Sequence, residues 1–146
     1  VSGRLIGPMS RLLAKEGLCE GPNLYKRAGW YYLLLAEGGT GWNHGIALAR
    51  SRSLLGPYEL DPQAAVLTTR DAPAWPLQKA GHGELVQTPA GEWYLAHLAS
   101  RPLKVGRVDP NAPPLDRHPA DRDTLRRCAL GRETCLQKVI WSDDGW

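Results

Sequence analysis

The chain of 146 residues contains no phenylalanine and three cysteines. Cys19, Cys128 and Cys135 are odd in number and lack C-x-x-C spacing, which argues against a zinc site or a disulfide framework. No apolar run is long enough to cross a membrane as a helix, so no membrane partner is expected. The formal net charge is only +3. The arginines are scattered through loops rather than gathered into a stripe, and no nucleic-acid motif occurs, so nucleic acid is not an expected partner either. No signal peptide is visible, but the chain starts at Val1 rather than Met, and its absence therefore says little about location. Hydrophobic content of 42% and charged content of 23% are ordinary for one globular domain and exclude general disorder.

What takes the place of phenylalanine is six Trp and five Tyr. Both combine a flat apolar face with a hydrogen-bonding edge, which suits sugar binding and also suits a β-sheet core. Short runs rich in aromatic and branched residues, bounded by Gly and Pro, read as antiparallel strands: "WYYLLLAE" (30–37), "HGIALARS" (44–51), "GELVQT" (83–88), "WYLAHLAS" (93–100) and "TCLQKVIWS" (134–142). "MSRLLAKEGL" (9–18) is expected as a short helix. "RVDPNAPPLDRHPADRD" (107–123), rich in Pro and Asp, is expected as an irregular surface loop.

An internal repeat points to the architecture. With Glu20 placed over His82, an offset of 62 residues, "EGPNLYKRAGWYYLLLAE" lies on "HGELVQTPAGEWYLAHLA" without a gap. Gly21 then meets Gly83, Gly29 meets Gly91, Tyr32 meets Tyr94 and Leu33 meets Leu95. Each unit supplies a strand, a Gly-containing hairpin, a second strand, a loop and a third strand, and "GPYEL" adds a fourth to the first unit. Repeated four-stranded antiparallel sheets are the mark of a β-propeller; a plain antiparallel sandwich is the alternative. A propeller needs at least four blades, so about two blades read as a piece of a larger protein. Equivalent positions on successive blades form a ring, which puts Glu20 and His82 at one channel mouth. His44 lies over Arg132 when "HGIALARSRS" is set on "RETCLQKVIW".

Three segments in order, "EGPNLYKRAGWYYLLLAEGGTGWNHGIALARSRSLLGPYE", "QKAGHGELVQTPAGEWYLAHLASRP" and "LGRETCLQKVIWSDDGW", resemble the later blades of glycoside hydrolase family 43, in particular its β-xylosidase and α-arabinofuranosidase members. The resemblance implies an all-β chain, part of a five-bladed β-propeller, with residues 1–146 as the C-terminal part of the catalytic domain. It implies inverting hydrolysis of xylo- or arabino-oligosaccharides. Glu20 of E-G-P would be the general acid, and Thr40 of "EGGT", His82 of "GHG" and Arg132 of "GRET" would contact the sugar. The general base and a second, pKa-tuning Asp would lie on blades upstream of Val1, so the piece alone would be inactive. No cofactor is required; a calcium ion on the propeller axis is the one ion the resemblance leaves open, with His82 as part of a water-mediated shell. The alternative function is a carbohydrate-binding or interaction piece without catalysis.

The remaining polar and aromatic residues read more plainly. His44 is expected as a loop residue, His97 as a half-buried strand residue and Glu37 as a turn acid. Asp143 and Asp144 are expected to serve the turn before Gly145. Trp42 is a candidate for stacking on a sugar ring, while Trp30, Trp93 and Trp141 are expected to pack between blades. Cys19 is expected to pack, on the face opposite Glu20.

Overall fold

The computed structural model describes residues 3–63, 65–72, 74–103 and 128–146, and among them all regular structure is strand. The elements are β1 (Cys19–Arg27), β2 (Trp30–Glu37), β3 (Gly45–Ser51), β4 (Glu59–Leu60), β5 (Leu67–Thr68), β6 (Gln78–Gln87), β7 (Trp93–Ser100) and β8 (Arg132–Val139). They form two antiparallel sheets, one in the order β1-β2-β3-β4 with β5 also on β3, the other in the order β6-β7-β8. The expected fourth strand from "GPYEL" amounts to Glu59–Leu60. The loop expected over 107–123 lies outside the described residues.

The helix expected over 9–18 does not form; these residues run without regular structure up to the start of β1. A helix of this length is marginal in isolation, and contacts with the rest of the fold decide its conformation. Here Leu12 and Leu13 lie against the outer face of the first sheet, on the cluster of Leu33, Leu35, Ala47, Ala49 and Tyr58. The ammonium of Lys15 pairs with Glu37 at 2.9 Å and holds the arm there. β2 and β3 are therefore buried on both faces, and their apolar residues run nearly unbroken instead of alternating.

The inner face of the first sheet meets the second across a core of Tyr32, Leu34, Ile46, Leu48 and Leu95. Trp141 packs against this core, its ring 4.8 Å from that of Tyr32 and 5.6 Å from that of Trp93. Trp30 also borders it, beneath the guanidinium groups of Arg50 and Arg52. Trp30 and Trp141 thus pack between the sheets as expected, while Trp93 packs on Trp141. The turn at Ser142–Trp146 clasps the first sheet: Tyr32 Oη donates to Gly145 O at 2.5 Å and Arg50 Nη1 to Asp144 O at 2.7 Å. The Asp144 carboxylate accepts from Ser142 Oγ and from Trp146 N, as a turn residue does.

The repeat carries over to the structure with one correction. Gly29 and Gly91 both hold positive φ in their hairpins, 76° and 86°. In the first hairpin Leu24 faces Leu33, so a 62-residue offset places Val86 opposite Leu95; instead Val86 faces Tyr94. The slip arises at the turn, where Thr88 N donates to Glu92 O across three residues, whereas Arg27 and Trp30 pair across two.

Ile46 is fully buried between the sheets. Ile46→Ala in the full-length protein is expected to lower the unfolding free energy by about 2–5 kcal/mol, read as a lower denaturant midpoint at unchanged slope. A loss below about 1 kcal/mol would mean that the two sheets do not share this core.

Candidate active site

The site forms where side chains link β1 to the middle of β6. Pro22 has no N–H to give to a ladder, and the β1–β2 register shifts between Glu20 and Asn23, with Gly21 at φ +56°. This bulge re-aims the start of β1, where Glu20 is exposed opposite Ala36. Asn23 Nδ2 donates to Gly83 O at 3.4 Å, and Leu85 N donates to Tyr25 Oη at 2.9 Å. The two strands are thus linked through side chains, and the His82 ring fills the space beside Gly21: a Cβ there would lie 3.0 Å from Nε2. The His82 ring thus lies beside Gly21, the neighbour of Glu20.

The glycines around His82 have separate packing reasons. A Cβ on Gly83 would strike Ile46 Cδ1 at 2.8 Å and Leu95 Cδ1 at 2.9 Å. A Cβ on Gly81 would overlap the ring of His44 outright. His82 itself sits at φ +48°, an uncommon conformation for a residue with a side chain. G-H-G is therefore a strand segment pressed into the first sheet with one imidazole left standing out.

The other expected residues fall as follows. Thr40 is exposed in the loop after β2, which is anchored by Gly38 N donating to Leu18 O and His44 N to Gly41 O, both at 3.1 Å. Arg132 opens β8 opposite Ser100, exposed and without a carboxylate partner among the described residues. Its neighbour Glu133 is held by a two-pronged pair with Arg101, at 3.1 and 3.2 Å. Trp42 does not offer a face to a sugar: it is buried, with the Lys79 ammonium 4.6 Å over its ring. Cys19 packs on the Leu33 cluster, and burial pushes its thiol up, away from the reactive thiolate. His97 is a buried strand residue.

Two residues read as incidental prove to lie behind the site. Glu37 is a buried carboxylate at the end of β2, paired with Lys15 and, at 3.7 Å, with Arg70. His44 is 2% exposed, and its Nδ1–H donates to Glu37 O at 3.2 Å. Its superposition on Arg132 was the one signal in the sequence that pointed to it. Among the described residues no three His, Cys, Asp or Glu side chains gather as a metal would require.

Burial pushes the His44 imidazole below its ordinary value of 6.5, and the nearby His82 and Arg132 push the same way against two backbone acceptors. In the unfolded chain the ring titrates near 6.5. Below that pH the unfolded chain takes up a proton that the folded one refuses. The His44 contribution to stability is thus full above about 6.5 and is lost as pH falls toward the lowered folded value. Denaturant midpoints measured from neutral pH down to about pH 5 should fall less steeply for His44→Gln than for the wild type. An unchanged slope would assign the acid sensitivity to another group.

Known proteins resemble the chain over nearly its whole length. A family model for Glycosyl hydrolases family 43 matches residues 5–146. The chain is 46% identical to Xylosidase/arabinosidase 43B of Humicola insolens, over 99% of this chain and 24% of that protein. It is 39% identical to the Non-reducing end alpha-L-arabinofuranosidase BoGH43B of Bacteroides ovatus, over 87% of this chain and 20% of that protein. The crystal structure of a xylan beta-1,4-xylosidase from Bacillus halodurans C-125 superposes with a TM-score of 0.79 at 47% identity, covering 97% of this chain and 24% of that one. The chain thus spans about a quarter of the relatives it matches. Its two sheets are part of a β-propeller, and the chain belongs to glycosyl hydrolases family 43.

Proposed function

We propose that the chain is the C-terminal part of a propeller catalytic domain that hydrolyses xylo- or arabino-oligosaccharides with inversion, and that Glu20 is its general acid. The observation that carries this reading is the meeting of β1 and β6, which brings the Glu20–Gly21 bulge against His82. The substrate class is supported by the names of the relatives, which are xylosidases and arabinosidases.

In the proposed reaction the protonated Glu20 carboxyl gives its proton to the glycosidic oxygen as the bond to the anomeric carbon breaks. A water attacks that carbon from the opposite face, losing its proton to a carboxylate supplied by the earlier blades. Inverting enzymes space the two carboxyl groups about 6.5–9.5 Å apart to admit this water. No residue of this chain is given the role of base, so residues 1–146 alone should not turn over. The E-G-P bulge limits the backbone freedom next to Glu20 and so fixes the direction of proton transfer. His82 and Thr40 would contact sugar hydroxyls. Arg132 would hydrogen-bond the sugar and orient the acid through its planar fork. An axial calcium, if held at all, would use His82 only through a water, because calcium prefers oxygen ligands.

Two measurements on the full-length protein test this. NMR of the first-formed sugar from an aryl β-xyloside or α-arabinofuranoside should show the inverted anomer; retention contradicts the mechanism. Glu20→Ala should lose about 10²–10⁴-fold on substrates with poor leaving groups and far less on activated aryl glycosides. An equal loss on both would remove Glu20 from the role of proton donor.

A further inference from the structure

We propose that His44 is a positioning residue for His82: its imidazole, wedged between the Glu37 carbonyl and Gly81, sets the strand backbone that aims the His82 ring into the sugar site. The proposal rests on the sugar-facing role given above to His82.

One side of the His44 ring is tied down. Nδ1–H donates to Glu37 O at 3.2 Å, and the His44 carbonyl accepts from Thr68 Oγ1 at 2.8 Å. Glu37 is itself held in place through its carboxylate by Lys15 and Arg70. The other side of the ring occupies the space that a Cβ on Gly81 would take. Gly81 lies between the two register shifts of β6, flanked by Lys79 at φ +57° and His82 at φ +48°. Two side-chain-bearing residues in the left-handed region within four positions persist only where the surroundings over-determine them. The ring of His44 is the surrounding group that Gly81 meets.

The contacts therefore run in sequence from Glu37 through His44, Gly81 and His82 to Gly21, the neighbour of Glu20. His44 Nε2 is buried without a partner. Leucine would fill the space without burying an unpaired nitrogen, so the residue is poorly explained as core filling. The charged or titratable groups facing it are Glu37 from β2, His82 from β6 and Arg132 from β8.

The test uses the full-length protein with Gly81→Ala, His44→Ala and the double variant. Each single change should reduce kcat/KM on an aryl glycoside about 10- to 100-fold, mainly in kcat. Since both act on one contact, the double variant should be no worse than the poorer single. Losses that multiply would overturn the proposal. Crystal structures of the variants provide a readout independent of activity: the His82 ring should leave Gly21. A ring still against Gly21 would overturn the proposal as well. If the wild type cleaves neither aryl glycoside, the reaction reading fails by itself, and the ring position still decides for or against His44. Should Gly81→Ala not fold, His44→Asn takes its place. It keeps a donor near the Nδ1 position and removes the edge over Gly81, and the same two readouts apply.

Discussion

The structure depends on one close approach, that of β6 to β2 and β3 in the first sheet, with β1 reached through side chains. Gly21, Gly81 and Gly83 carry no side chain, and each has its Cβ space occupied by a neighbour: the His82 ring, the His44 ring, and Ile46 with Leu95. Any side chain at Gly81 or Gly83 would force the strands apart, because close-packed interiors have no slack to absorb a methyl group. The same approach lets Asn23 reach the Gly83 carbonyl and Tyr25 accept from Leu85 N. The nearness of the Gly21 bulge to the imidazole of His82 is thus a consequence of packing.

A second lock lies away from that edge. Tyr32 and Arg50, on β2 and β3, reach the carbonyls of the Ser142–Trp146 turn, and Trp141 packs tilted against Tyr32 and edge-on to Trp93. Arg50 also covers the rings of Trp30 and Trp146, at 4.4 and 3.9 Å. Together these contacts give the second sheet one bearing on the first. The absence of phenylalanine fits this use of aromatics. Tyr32 spends its hydroxyl on a backbone carbonyl at the far side of the sheet interface, which a phenylalanine ring could not do.

Much of this was legible in the sequence because the repeat is written in glycines and aromatics. The pairs Gly21/Gly83 and Gly29/Gly91 mark positions where the backbone must turn or come close, and these have few alternatives. What was not legible depends on neighbours distant along the chain. Trp42 has the shape of a sugar platform, but its ring is buried and lies under the ammonium of Lys79, a residue distant along the chain. Glu37 read as a turn acid because the cations that bury it, Lys15 and Arg70, belong to two other segments. The segment 9–18 has helical spacing, but its leucines find the outer face of the first sheet instead. The one-residue slip in the second hairpin comes from its longer turn: three residues, 89–91, separate Thr88 from Glu92, where two separate Arg27 from Trp30.

The central claim is that Glu20, His82 and Arg132 face one sugar. A crystal structure of the full-length Glu20→Ala protein with a xylo- or arabino-oligosaccharide tests it most directly. The account predicts the terminal sugar at the junction of β1 and β6, with its scissile oxygen beside position 20 and its hydroxyls on His82 and Arg132. A sugar bound elsewhere, with His82 and Arg132 free of it, would contradict the account.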